Sequence, residues 1–152
     1  MEQNRVSKRL LIWIIAMVIW LILIYFLSSQ NGPETANTSQ GMAAKIAELI
    51  YKNPTPQQFN EVHLSIRRMA HVVLFFVFGV LMGQACRQVN AIMRIRSSFL
   101  FGYGFLVFCS FFDEWRKQFI SGRHNNFDDG IRNLVGATIG IGIMYVIARR
   151  KK

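Results

Sequence analysis

The segment FFDEWRKQFISGRHNNFDDGIRN, residues 111–133, packs four carboxylates, four basic side chains and three asparagines between two very apolar stretches. Ionisable groups at the edge of an apolar run are costly to desolvate, so they tend to pair, face an interior and mark a functional site. Asp113 and Glu114 close one such run, and Arg67, Arg68 and His71 open another, with Arg67 and His71 four residues apart on one helical face. In the last run Asp129, Asn133, Gly136 and Gly140 fall at i, i+4, i+7 and i+11, an acidic stripe that turns small further along. Arg123 follows Gly122 in the connection between. Arginines of this kind suit bidentate contact with phosphate or carboxylate. Asp113, Glu114, Asp129 and Asn133 could orient them and bind sugar or peptide groups. The alternative chemistry is acid–base work by His71 with Asp113 or Glu114, since a carboxylate and an imidazole in a desolvated site can be tuned toward neutral pH.

Each residue also has a plainer use. Arg67 and Arg68 would anchor a helix end at lipid headgroups. Asp129 would cap the last helix, and Asp113 with Arg123 would form an ion pair that serves the fold alone. Gly136 and Gly140 make a small-xxx-small packing face, and Gly102 and Gly104 would allow close contact in the same way. A homo-oligomer contact through Gly136 and Gly140 is a further expectation. No serine or cysteine nucleophile motif and no phosphate-cradling loop is present, which weighs against an enzyme. Nothing has ligand spacing of the H-E-x-x-H kind, so neither a metal nor another cofactor is expected.

The elements that must position these groups are apolar helices. The chain has 152 residues, of which 52% are hydrophobic, and its mean hydropathy is +0.26. That is too apolar for a soluble domain of this size, whose helices would need polar faces. Four stretches qualify as spans, at about 10–27, 69–86, 97–115 and 131–148. The third has an apolar part, 97–112, that covers only about 24 Å at 1.5 Å per residue, less than the ~30 Å hydrocarbon core. Its helix is therefore expected to run on through Asp113, Glu114 and Trp115, placing the acidic pair at the bilayer edge. The expected fold is an all-α, polytopic four-helix membrane bundle forming a single domain over 1–152.

Lysine and arginine in the flanks set the expected orientation. Arg5, Lys8 and Arg9 precede the first span, Arg87, Arg94 and Arg96 join the second and third, and Arg149, Arg150, Lys151 and Lys152 follow the fourth. Both termini are then cytoplasmic, with 28–68 and 113–130 outside. The net charge of +10 reads as a topology signal and as attraction to anionic lipid, worth ~1 kcal/mol per basic residue near the surface. No nucleic-acid partner is expected, because no soluble basic domain carries that charge. The first span is read as retained: its apolar run exceeds a signal-peptide core, and FLSSQNG is a poor cleavage site. Cys86 and Cys109 fall at opposite ends of neighbouring spans, too far apart for a disulfide. Outside, SSQNGPETANTSQG reads as a polar turn-rich exit. MAAKIAELIYKN reads as a short amphipathic helix with Met42, Ile46, Leu49 and Ile50 on one face, and in the returning NPTPQQFNEVHLS Pro54 and Pro56 block its continuation.

These residues carry a resemblance. The run DEWRKQFISGRHNNFDDGIRNLVGATIG resembles the signature of the VanZ family of small bacterial membrane proteins, with Asp113, Glu114, Phe119, Gly122, Arg123, Asp129, Asn133, Gly136 and Gly140 at matching spacing. Upstream, FLSSQ with Ser29 and Gln30, and RRMAH with Arg67, Arg68 and His71, match as well. Lys117 departs from the family's usual glutamine, and Ser121 from its usual proline. The resemblance implies a cell-envelope membrane protein linked to glycopeptide (teicoplanin) resistance. With it goes an expected partner, a membrane lipid or lipid-linked cell-wall component held by Arg67, Arg68, His71, Asp113, Glu114, Arg123, Asp129 and Asn133. The alternative is a membrane enzyme acting on a lipid-linked intermediate.

Overall fold

A computed structural model describes residues 2–29, 32–93, 97–120 and 126–150, with side chains described from Lys8 and, after the first helix, from Gln40. The described residues form five α-helices and no strand: α1 (Glu2–Ser29), α2 (Gly32–Tyr51), α3 (Pro56–Met93), α4 (Ser98–Lys117) and α5 (Phe127–Arg150). Three of them, α1, α3 and α5, contain windows long and apolar enough to cross a membrane. Helix α4 is shorter on apolar residues because its last turn carries Asp113, Glu114, Arg116 and Lys117.

Two sequence expectations change here. Helix α2 starts at Gly32, inside the stretch read as a turn-rich exit, and runs for 20 residues. Pro33 sits in its first turn, where a missing N–H costs nothing, and the helix ends at Lys52, whose φ of 57° and N–H bond to the Glu48 carbonyl form a left-handed cap. The second change concerns the return after it: Pro54 and Pro56 block continuation of α2 as expected, and Pro56 also opens the next helix. Thr55 and Gln58 form a reciprocal capping box: the Gln58 N–H donates to Thr55 Oγ1 at 3.3 Å and the Thr55 N–H to Gln58 Oε1 at 2.9 Å. From there α3 runs 38 residues, about 57 Å, nearly twice the ~30 Å a bilayer core requires. Its first turns therefore extend beyond the apolar part, and α2 packs along α3. The face of α2 that is buried is the alanine face, Ala43 and Ala47, while Met42, Leu49 and Ile50 point outward.

The most extensive interface joins α3 and α5, and glycine permits it. A Cβ added at Gly136 would overlap the Val72 carbonyl oxygen, one at Gly140 the Phe76 carbonyl, and one at Gly79 the Ala137 carbonyl. Backbone meets backbone, so no side-chain rotation could relieve a substitution there. The pairing of 72 with 136 and 76 with 140 makes the two helices parallel. Gly136 and Gly140 are thus filled by α3 of the same chain, and an intermolecular contact through this stripe would require α3 to leave it. Gly102 meets Cys86 and Met82, as expected of a close crossing, whereas Gly104 has nothing within 4 Å and serves no contact.

Helix α1 lies on α3, where the Trp20 indole N–H donates to the Leu74 carbonyl at 2.9 Å. Ile24, Phe75, Phe78, Leu106, Ala137 and Met144 fill the centre of the bundle. Cys86 and Cys109 are buried and free, as their positions on the spans imply. The outside is apolar: Ile12, Ile19, Ile22 and Phe26 of α1 are each more than 60% exposed, and Leu100 and Phe101 of α4 more than 70%. Such a surface suits lipid and is far larger than the apolar patches of soluble monomers.

Candidate functional site

The last turns of α1 and α4 meet the level of His71 on α3 and the first turns of α5, and there the polar residues of the bundle collect. Asn126 opens α5, its side-chain oxygen accepting the Asp128 N–H at 3.2 Å. The cap predicted for Asp129 thus falls to Asn126, and Asp129, three residues on, is left to pair with Arg132 and to lie 3.9 Å from His71 Nε2. Both acids of that first turn also suit the positive end of the helix dipole.

Asp113, Glu114, Lys117 and Asn133 are each no more than 2% exposed. Helical spacing aligns three of them: Lys117 Nζ bonds Glu114 Oε1 and stands 3.5 Å from Asp113 Oδ2, at i,i+3 and i,i+4. Asp113 also accepts a bond from Ser28 Oγ at 2.9 Å and one from Arg116 Nη2 at 3.4 Å. Arg116 reaches further, to the Tyr25 carbonyl at 3.1 Å, with its guanidinium 5.1 Å from the Tyr25 ring centre. A carboxylate at 1% exposure is tolerable in an apolar bundle only with such a set of donors.

The second half of the cluster is neutral. Asn133 Nδ2 donates to the Ser110 carbonyl at 3.3 Å, which turns Asn133 Oδ1 toward His71 Nδ1 at 3.0 Å. The imidazole therefore donates through Nδ1, and its Nε2 is left as the acceptor in the neutral ring. One ligating atom each from His71, Asp113 and Glu114 lie within 4.8 Å of one another. Glu114 Oε2 is buried with no hydrogen-bond partner among the described residues.

Of the residues singled out from the sequence, His71, Asp113, Glu114, Asp129 and Asn133 come together. Arg67 is half-buried and Arg68 exposed, on the helix that carries His71, and among the described residues neither has an ion pair. Arg123, and with it the Asp113–Arg123 pair, lies outside the described residues. Four participants were not expected: Ser28, Arg116, Lys117 and Arg132. Helix arithmetic would have found the last three, since each stands three or four residues after a carboxylate, whereas Ser28 reaches Asp113 only through the packing of α1 on α4.

The architecture is that of a helical membrane protein with an ionic cluster buried at one end of its bundle. A scan against protein families matches the VanZ/LLP1 family over residues 13–148, and the chain belongs to that family. Comparison with curated proteins and with solved structures finds no match.

Proposed function

We propose that the chain is an envelope protein that crosses the membrane four times, through α1, α3, α4 and α5, with both termini cytoplasmic, and that its external end binds an anionic or lipid-linked cell-wall component. The observation that carries this reading is the burial of Asp113, Glu114 and Lys117 at the end where four helices converge. The directions of the helices support the span count. Trp20 against Leu74 and Ser28 against Asp113 set α1 and α4 running one way, with α3 and α5 running the other. Basic residues in the flanks support a cytoplasmic position for the opposite end of the bundle. Arg67, Arg68 and Arg123 supply the anion contacts, and the buried acids and Asn133 hold the floor of the pocket. The phenotype that goes with family membership is tolerance of teicoplanin.

The test is charge-neutral replacement, Arg67→Gln with Arg68→Gln, and separately Arg123→Gln. Each should abolish both teicoplanin tolerance and retention of anionic lipid by the purified protein while membrane accumulation stays at the level of the unsubstituted chain. Unchanged tolerance and unchanged lipid retention would refute the assignment. A second reading, an enzyme on the same lipid-linked class of molecule, is favoured by one observation, the Asn133 bond that leaves His71 Nε2 as an acceptor beside carboxylates. Turnover of a labelled lipid-linked intermediate that disappears in His71→Ala would establish it, and absence of turnover in the unsubstituted protein would dismiss it.

A further inference from the structure

Inside the cluster not every buried polar atom is paired: among the described residues the Arg116 Nε–H lacks an acceptor. Glu114 Oε2 is buried and unpartnered among the described residues, and His71 Nε2 carries a lone pair because Nδ1 is committed to Asn133. Buried acceptors without a donor are rare and mark a place that a cation, a water or a ligand completes. The charges tell the same story. Among the described residues Asp113, Glu114 and Lys117 are the fully buried ionic groups, two negative and one positive, so one negative charge depends on a partly exposed partner, Arg116 beside Asp113. Arg116 and Arg132 stand at the edge, a quarter or more exposed.

We infer that His71, Asp113 and Glu114 form a site for a divalent transition-metal ion of the zinc or manganese kind, which competes with the Lys117 ammonium for the same two carboxylates. Three atoms, one imidazole nitrogen and two carboxylate oxygens, already lie within 4.8 Å of one another. That mixed set suits ions that accept both nitrogen and oxygen ligands. Asn133 fills the supporting role that metal-bound histidines need, fixing the ring and its tautomer through the other nitrogen. A divalent ion would neutralise Asp113 and Glu114 together, and Lys117, a long side chain tethered on the last turn of α4, would then swing outward from a pair it no longer serves. The ligands sit on two helices far apart in the chain, so linear ligand spacing could not have shown them. This site shares Asp113, Glu114 and Asn133 with the anion-binding reading above but is tested apart from it, the arginine replacements probing that reading and the metal titration this one.

The test uses the full chain in detergent micelles, stripped of metal with a chelator and titrated with Zn²⁺ by calorimetry and with Mn²⁺ by electron paramagnetic resonance. One ion per chain is expected, with electron-spin-echo modulation from a coordinated imidazole nitrogen. His71→Ala and Glu114→Gln should each weaken binding, and Lys117→Gln should strengthen it ~10-fold or more by removing a like charge from a low-dielectric site. The chain has three histidines; a variant carrying His63→Gln and His124→Gln leaves His71 as the source of any imidazole signal. The site is refuted if the unsubstituted protein takes up no more ion than Glu114→Gln, or if the imidazole modulation survives His71→Ala. Binding confined to Lys117→Gln overturns it equally, with Lys117 then the permanent occupant. Should the variants not accumulate, the Mn²⁺ spectrum of the unsubstituted protein decides alone, an imidazole coupling supporting the site and its absence removing it.

Discussion

Replacing Lys117 with methionine keeps the length and apolar stem of the side chain and deletes only its charge. Because Lys117 Nζ serves both Asp113 and Glu114 with all three side chains at 3% exposure or less, its loss leaves, among the described residues, Glu114 with no ion pair and Asp113 with the single, partly exposed Arg116. Removing one member of a buried pair costs about 3–5 kcal/mol, most of it from the charge left behind. At ~2–4 °C per kcal/mol for a chain of this size, the apparent unfolding midpoint should fall by roughly 10 °C. The assay is thermal unfolding of the metal-free protein in detergent, followed by circular dichroism. The control removes the stranded charge: Glu114→Gln combined with Lys117→Met should recover most of the loss, because replacing a buried pair outright by neutral groups is near neutral. A Lys117→Met midpoint within about 2 °C of the unsubstituted value would show that the cluster is solvated and refute the reasoning, as would a double variant no more stable than the single one.

Asn133→Leu, at a fully buried position, strands the His71 Nδ1–H and removes the second bond of the Ser110 carbonyl, which keeps its helical partner, and should cost ~1–3 kcal/mol in the same unfolding assay. Gly140→Val drives two methyl groups toward the Phe76 carbonyl and should destabilise by ~1–3 kcal/mol or prevent assembly of the bundle, whereas Gly104→Ala, with open space around it, should be neutral or slightly stabilising; equal effects of the two would mean that α3 and α5 do not touch as described. Thr55→Ala breaks the capping box and should cost ~1 kcal/mol of helix stability, read as faster amide exchange confined to the first turns of α3.

Much of the cluster was legible because charge inside an apolar run is conspicuous. His71, Asp113, Glu114, Asp129 and Asn133 announce themselves by type, and helical spacing then puts their carboxylates within reach of Lys117 and Arg132. Tertiary relations were not legible. That α3 and α5 run side by side in parallel, Gly136 on Val72 and Gly140 on Phe76, follows from which glycine faces which carbonyl, and a glycine stripe alone is equally compatible with a second copy of the chain. Gly104 shows the converse, a glycine in the right kind of helix with nothing opposite it. Local composition misled in residues 32–41, where glycine, serine, threonine and asparagine have weak helix propensity yet the backbone is helical. Propensities of a few tenths of a kcal/mol per residue are easily outweighed once a helix packs along a neighbour. Pro54 and Pro56 marked the end of α2, but that Pro56 also starts α3 was not read. Proline blocks a helix interior but favours its first position, and the threonine before it with the glutamine after it was the signal that separated the two cases.

The bundle joins its helices by two different means. Lipid tails are as apolar as leucine, so helices in a membrane gain little from apolar contact alone and rely on close packing or polar bonds. Helices α3 and α5 use the first, through glycines that bring one backbone against another along several turns. The ends of α1 and α4 use the second, through Ser28, Arg116 and Asp113. A protein that needed only cohesion could have extended the glycine packing, which exposes no charge to burial. Placing two acids, a lysine and an oriented imidazole at the end of the bundle instead costs desolvation and leaves Glu114 Oε2 without a partner among the described residues. Cohesion accounts for the Asp113 contacts to Ser28 and Arg116. It does not account for Glu114, whose hydrogen bond goes to Lys117 of its own helix, and that is why Glu114→Gln is the sharpest test of the metal site.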